Sequence, residues 1–321
     1  MARRRSLLIA GATAAMSALW PRSGGAASRN VLPAPPPLQP GARLRAVNPG
    51  TWMDPDTDFD ELIDRCTKQG WQLQIPDSVR RQWRYFSGTD QERVADLQEA
   101  WTDRSIDGVL YLGGGWGGAR ILEAGFRFPR RPLWSVGFSD SSSLLLAQWA
   151  AGLPGAIHGS CFGPDERWTR TAALLSGQPV SPLQGRGRVP GLAQGPLVVS
   201  NLTVATHLIG TPWFPDLKGA ILVLEDVGEA PYRVDRMLTH WRSAGVLAAV
   251  AGVATGRFSW KKDDILPGDF SMEEILEERL GDLGIPLVMD LPLGHGRPNM
   301  ALPLGRKGRL NGTNGRLELL Q

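Results

Sequence analysis

The chain predicts an open α/β fold, mainly parallel in its first half, and three features of the sequence lead there. Apolar, strand-like runs alternate with segments of helical spacing from Arg43 to Leu291. Only two cysteines occur, Cys66 and Cys161, too far apart in sequence for a short-range metal clip, so no disulfide framework stands in for a packed core. One stretch, Leu133-Trp134-Ser135-Val136-Gly137-Phe138-Ser139-Asp140 followed by Ser141-Ser142-Ser143 and an apolar run, reads as strand, sharp turn and helix. With 321 residues, 42% hydrophobic and 21% charged, the chain can build two domains and a substantial core.

In order, Asn30 to Pro40 holds five prolines and reads as an extended leader. Arg43 to Val47 is a first strand. Phe59 to Gln69 has helical spacing, stops at Gly70 and is followed by a strand over Trp71 to Ile75. Gln91 to Trp101 is an amphipathic helix, and Asp107 to Leu112 a buried strand that runs into the glycines of 113–118. A helix over Ala119 to Ala124 leads to the central strand and turn. Residues 176–196, dense in Gly and Pro, are the expected linker between a domain over 41–175 and a second over 197–321. There, Leu197 to Ser200 precedes an apolar helix over Asn201 to Ile209. Ala220 to Leu224 is a strand delivering Glu225 and Asp226, Pro231 to Ala244 a helix and Leu247 to Ala254 a strand. Gly256 to Phe270 reads as a polar loop that suits a lid or a partner surface, Ser271 caps a helix through Leu280, and Pro286 to Leu291 is a strand before Gly294-His295-Gly296. Two Asn-Gly turns close the chain in short β structure.

Residues 1–27 open with cations, run into an apolar Ala-rich stretch and end on Gly25-Ala26-Ala27, the pattern of an export signal; Arg4-Arg5-Ser6-Leu7-Leu8 resembles a twin-arginine type. The mature protein is then expected in the periplasm, with no stable membrane insertion once the signal is removed, and in the cytoplasm if the signal is unused. The signal holds four arginines and no acid, so its removal takes the formal net charge from +3 to −1. The basic balance therefore belongs to the signal. No basic stripe with interleaved aromatics points to nucleic acid. The cysteines read as two separate buried thiols, with a disulfide the alternative in an oxidising compartment.

Taken alone, the 133–143 stretch reads most simply as an ordinary turn with Asp140 or Ser141 as N-cap. It also suits a nucleophile: Ser139 would project beyond the strand's carboxyl end, next to the free N–H groups that open a helix. Four histidines make the search for a base short. His207 and His240 sit on helices as structural or surface residues, His158 starts a loop and could line a cleft, and His295 stands between two glycines just past a strand. Ser139, Glu225 and His295 all fall at the carboxyl ends of strands, where open α/β sheets build their sites, and they suit a Ser-His-carboxylate arrangement. Asp226 and Glu229 compete with Glu225 for the carboxylate. The run Gly113-x-Gly115-x-x-Gly118 fits a tight packing turn, an oxyanion-binding turn beside the nucleophile, or a dinucleotide-binding loop with Asp140 as the ribose acid.

The chain resembles the LD-carboxypeptidases of the S66 serine peptidase group and their microcin-immunity relatives. The similarity runs from about Leu38 to Leu304, through Leu38-Gln39-Pro40-Gly41, Phe86-Ser87-Gly88-Thr89-Asp90 with Arg93 to Leu97, Gly114-Gly115-Trp116-Gly117 with Arg120, and Gly137-Phe138-Ser139-Asp140. It continues through Asn201-Leu202, Ile209 to Trp213, Ile221 to Asp226 with Tyr232 to Leu238, and Gly294-His295.

The resemblance implies removal of a terminal D-amino acid from murein tetrapeptides, without metal or cofactor. Ser139 would be the nucleophile, Glu225 the carboxylate and His295 the base. The oxyanion would be held by backbone N–H groups of Asp140 and Gly115, and substrate by Gly114, Trp116 and Asn201. The family fold implies an α/β N-terminal domain, a smaller α/β C-terminal domain, an active site between them and a homodimer. Three positions depart from the family pattern. Gly113 replaces an Arg, His158-Gly159-Ser160 a His-Gly-Pro, and Val199-Ser200-Asn201 a Gly-Gly-Asn, the last two being expected to flank the substrate cleft. The rival readings are hydrolysis of a peptidyl-nucleotide antibiotic, a dinucleotide-dependent oxidoreductase, and an inactive murein-binding protein.

Overall fold

The structure, a computed structural model, describes residues 31–163, 165–261 and 268–320. The expected export signal, the start of the leader and residues 262–267 of the expected lid lie outside them.

The first sheet follows from the alternation read above. Its elements are β1 (Arg43–Val47), α1 (Asp60–Lys68), β2 (Gln72–Gln74), α2 (Asp90–Thr102), β3 (Gly108–Tyr111), α3 (Gly118–Glu123), β4 (Trp134–Gly137), α4 (Ser142–Ala150), β5 (Ala156–His158) and α5 (Asp165–Leu175). At α2 the sequence supplies partners for the orphan N–H groups: the Thr89 hydroxyl accepts from Glu92 N–H while the Glu92 carboxylate accepts from Thr89 N–H at 2.8 Å. β5 and α5 have no counterpart in the sequence reading. β5 is only three residues long, whereas α5 carries a legible apolar spacing at Trp168, Ala172 and Leu175.

The second half holds β6 (Leu183–Gln184), β7 (Arg186–Val189), β8 (Leu192–Asn201), α6 (Leu202–Thr206), β9 (Ile221–Val227), α7 (Pro231–Ser243), β10 (Gly252–Ser259), α8 (Met272–Leu280), β11 (Leu287–Met289), β12 (Leu302–Pro303), β13 (Lys307–Asn311) and β14 (Arg316–Leu319). Residues 176–196, expected as linker, thus fold into β6, β7 and half of β8. The glycines that suggested a break permit close backbone approach instead: a Cβ on Gly185 would lie 2.3 Å from the Met289 carbonyl, and one on Gly195 2.0 Å from that of Gly219. β10 starts five residues later than expected, because the apolar Val246–Ala249 forms a 3-10 turn. It also runs through Ser259, so the expected lid begins as strand. The two Asn-Gly pairs make one hairpin connection, in which Asn311 Oδ1 accepts from the N–H groups of Thr313 and Asn314.

Among the described residues the first sheet has the order β12-β5-β4-β3-β1-β2 and the second β6-β14-β13-β8-β9-β10-β11-β7. β1 to β5 are mutually parallel, as are β8 to β11. The first sheet changes direction between β1 and β3, which opens a crevice at their carboxyl ends. Its edge strand β12 comes from the second half of the chain and pairs antiparallel with β5, Leu302 against His158. The chain therefore leaves the second sheet at β11, crosses to the first at β12 and returns: Leu304 N–H donates to Ala156 O at 2.8 Å and Gly305 N–H to Leu197 O at 2.8 Å. Arg170 clamps the crossing, its Nε donating to Ala301 O at 2.8 Å and its Nη1 to Ser181 O at 2.7 Å.

Cys66 and Cys161 are both buried and free, and burial raises both thiols, that of Cys66 to about 12. Among the described residues no helix is long and apolar enough to cross a membrane.

Gly305, at φ +76°, makes the return turn, and a Cβ there would sit 2.4 Å from the Trp149 ring. Gly305→Ala is expected to cost more than the roughly 1 kcal/mol that left-handed backbone alone commands, because the indole of α4 must also move. Urea unfolding measures it, and an unchanged midpoint would contradict the tight crossing.

Candidate active site

Ser139 stands two residues beyond the end of β4 with φ +59°, a left-handed conformation that costs a non-glycine residue about 1–3 kcal/mol and survives only where its surroundings enforce it. The enforcement is visible. Gly137 leaves room for the chain to fold back, since a Cβ there would lie 2.8 Å from Ser141 Cβ and 2.9 Å from Tyr111 Cδ2. Ser141 N–H closes the first turn on Phe138 O at 3.2 Å, so the N–H groups of Ser139 and Asp140 precede any closed helical turn.

Glu225 ends the buried run Ile221-Leu222-Val223-Leu224 of β9 and is itself fully buried. Asp226, its neighbour, points the other way because strand side chains alternate. There Asp226 Oδ2 accepts from the N–H and the hydroxyl of Thr203, both at 2.8 Å, and Oδ1 from Val227 N–H at 2.7 Å. Burial raises its carboxyl to about 6 despite these bonds. Glu229 pairs with Arg233 at 3.5 Å. Of the three acids, Glu225 is the one that meets His295.

His295 hangs from the crossing between β11 and β12. Its Nδ1 is 2.8 Å from Glu225 Oε2, which also accepts its backbone N–H at 3.1 Å, and its Nε2 is 3.2 Å from Ser139 Oγ. An ionised Glu225 only accepts, so Nδ1 carries the proton and Nε2 is free to accept from the serine hydroxyl. Gly294, at φ +104°, permits this approach: a Cβ there would come within 3.0 Å of Glu225 Oε2. The imidazole packs on Phe138, ring centroids 4.5 Å apart, and His158 packs edge-on against the same ring at 5.1 Å.

The glycine turn after β3 lies beside the nucleophile, where a Cβ on Gly114 would be 3.5 Å from Ser139 Cβ. Thr51 N–H donates to Gly114 O at 3.0 Å and Thr51 Oγ1 accepts from Trp116 N–H at 3.2 Å. Buried Arg93, paired with Asp90 at 2.5 Å, holds the carbonyls of Pro49 and Gly117 and so ties the loops after β1 and β3 together. Arg93 went unread as a site residue; a fully buried arginine cannot be told from a surface one by helical spacing alone. Among the described residues the N–H groups of Asp140 and Gly115 have no protein acceptor. A cavity of about 240 Å³ lies over Ser139, walled by Met53, Tyr111, Phe138, Ser160 and Phe162 with the glycine turn.

Several expected positions lie elsewhere. Asn201 is 4% exposed, and both ends of its amide are engaged: Oδ1 caps α6 at Val204 N–H, and Nδ2 donates to Glu225 Oε1 at 3.2 Å and Asp226 Oδ1 at 3.3 Å. It stands beside Glu225 in the β8/β9 ladder, with its amide turned toward the two acids. Val199 and Ser200 are buried within β8. His158 is buried at the end of β5, and desolvation lowers it to about 4, keeping it neutral. Ser160 does line the cavity, and Trp116, 44% exposed, stands at the tip of the turn. Asp140 is 1% exposed with Oδ2 accepting Gly118 N–H at 2.8 Å, so it cannot reach a ribose as the dinucleotide reading required.

With this geometry in view, two family models match the chain: the LD-carboxypeptidase N-terminal domain over residues 45–159 and the LD-carboxypeptidase C-terminal domain over 194–310. The chain belongs to the LD-carboxypeptidase family. A Synechocystis sp. protein named "Putative carboxypeptidase" is 42% identical over 293 residues, covering 89% of this chain and 97% of that one. The murein tetrapeptide carboxypeptidase of Pseudomonas aeruginosa is 33% identical over 295 residues, covering 84% and 94%. The solved structure of the microcin C7 self-immunity protein shares the fold, with TM-score 0.78 at 19% identity, covering 91% of this chain and 98% of that one. As a family member the chain is a peptidase, with carboxypeptidase-named relatives over nearly its whole described length.

Asp140 supplies a pH test. Burial lifts its carboxyl to about 7, against hydrogen bonds from the backbone of residues 117 and 118 and the charge of Arg93. A raised carboxyl means the folded chain holds a proton that the unfolded chain releases near its ordinary value of about 4. Stability from this group is present below that value and is lost as the pH climbs to 7. Asp140→Asn should therefore gain stability relative to the parent between pH 4 and 7, by up to a few kcal/mol. Urea unfolding across that range tests it, and a pH-independent difference counts against it.

Proposed function

We propose that the protein is a serine carboxypeptidase that hydrolyses the amide bond between an L-centre and a terminal D-residue in murein peptides, releasing D-Ala from the tetrapeptide. The observation that carries this is the contact of Ser139 Oγ with His295 Nε2 at 3.2 Å, backed by Glu225 at 2.8 Å, in a chain of this family. His295 takes the Ser139 proton as the oxygen attacks the scissile carbonyl. Asp140 and Gly115 N–H groups receive the oxyanion, worth on the order of 100-fold or more in rate per donor. The same imidazole hands its proton to the leaving D-Ala amine, then removes one from the water that attacks the acyl carbon and returns it to Ser139 Oγ as the acyl group leaves. Glu225 stays ionised, fixing the tautomer and stabilising the imidazolium. Atoms and charge balance with no metal or cofactor. Gly114 and Trp116 face the peptide; Asn201 acts through the acids.

The Arg4-Arg5 leader motif supports the periplasm as the site of action, so that the substrate is murein or its fragments outside the cytoplasm. The family resemblance supports a homodimer. For hydrolysis of a peptidyl-nucleotide, fold likeness is the only support.

Ser139→Ala should abolish D-Ala release from the tetrapeptide while leaving the circular dichroism spectrum and unfolding midpoint near those of the parent. Glu225→Gln should lower kcat by roughly 10³- to 10⁴-fold through the wrong imidazole tautomer. Undiminished turnover in either, or turnover of a peptidyl-nucleotide in preference to tetrapeptide, sinks this reading.

A further inference from the structure

Three guanidinium groups meet at the peptide that follows His295. Arg167 of α5 donates through Nη2 to Gly296 O. Arg257 of β10 lies against Gly296, whose φ of +148° and lack of a side chain make space for it, and donates through Nη2 to Arg297 O at 2.9 Å. Arg297 follows directly, with its side chain exposed. Among the described residues none of the three forms a salt bridge with a carboxylate, whereas most other arginines of the two sheets do. Burial, then the charge of Arg297 and, after a partial offset from Glu166, that of Arg257, hold Arg167 below its ordinary range. Like charges gathered with little counter-charge among the described residues raise the free energy of the empty site, and an anion lowers it.

The place of the cluster narrows the anion. Arg167 also packs on Gly163, where a Cβ would meet its Nη1 at 2.6 Å, and Gly163 follows Ser160, Cys161 and Phe162 in the wall of the Ser139 cavity. Its guanidinium therefore spans from the cavity rim to the loop of the base. The residues lining that cavity are all uncharged. An exopeptidase must tell a chain end from a chain interior, and at the carboxyl end that mark is a free carboxylate, which a planar guanidinium fork fits in bidentate fashion.

Resting on the function proposed above, we infer that Arg167, supported by Arg257 and Arg297, binds the free carboxylate of the substrate's terminal D-residue and so restricts hydrolysis to the last bond. The test compares kcat/KM for the tetrapeptide with that for its C-terminal amide, in the parent chain and in Arg167→Gln, Arg297→Gln and Arg167→Lys. The parent should prefer the free acid by roughly 10- to 100-fold, the magnitude of a charge-assisted hydrogen bond. That ratio should fall toward one in Arg167→Gln, fall less in Arg297→Gln and be partly restored by Arg167→Lys. A ratio unchanged in Arg167→Gln overturns the inference while D-Ala release by the parent still upholds the function. If the parent releases no D-Ala, the function fails first. Ser139 labelling by a carboxylate-bearing fluorophosphonate, compared with its methyl ester, then decides the cluster: faster labelling by the acid that depends on Arg167 supports it, and equal or absent labelling by both overturns it.

Discussion

The crossing between β11 and β12 is the constraint on which everything else at the site depends. A segment of about a dozen residues leaves one sheet, carries His295 through the gap and is sewn to the edge of the other by the Leu302–His158 pairing and by Arg170 on Ala301 O. Each end is fixed to a sheet, and a continuous hydrophobic core runs beneath both, so the imidazole is held by packed structure rather than by a free loop. Glu225 then needs only to take the backbone N–H and the ring of one residue with a single oxygen. Ser139, strained at the end of β4, meets a partner whose position the rest of the fold has already determined.

Much of this was legible in the residues, because strands and helices of ordinary length announce themselves by period and punctuation. Arg43 to Val47, the capped helix after Ser271 and the turn at Ser139 fall where pattern places them. Ser139, Glu225 and His295 were legible as strand-end residues, but their convergence was not, since it depends on β12 joining the other sheet through two residues that carry no period at all. Glycine was misread in the opposite sense. In 176–196 it marks places where two backbones touch, and sequence cannot distinguish that from a break. Asn201 shows the same limit for a polar side chain: its residue type suits a ligand, while its register beside Glu225 turns the amide inward.

Polarity is divided sharply around the site. Beneath the base, Asn201, Thr203, Asp226 and Glu225 form a buried web in which the amide of Asn201 bridges both acids. Such a web holds its members in one arrangement, because any unmade bond there leaves a desolvated polar atom. Above Ser139 the cavity wall is uncharged, and the cations stand at its rim. A carbonyl in the cavity and a carboxylate at the rim thus meet different dielectric surroundings only a short distance apart.

The order in which the chain is made gives the crossing one more meaning. Ser139 and its strained turn belong to the first half of the chain, while β12 is made only after all the other strands of its sheet. A nascent or truncated chain that ends before Leu302 lacks the strand that fixes the crossing to the first sheet, and with it the hold on the imidazole. A site divided in this way between early and late segments is incomplete until the crossing has formed.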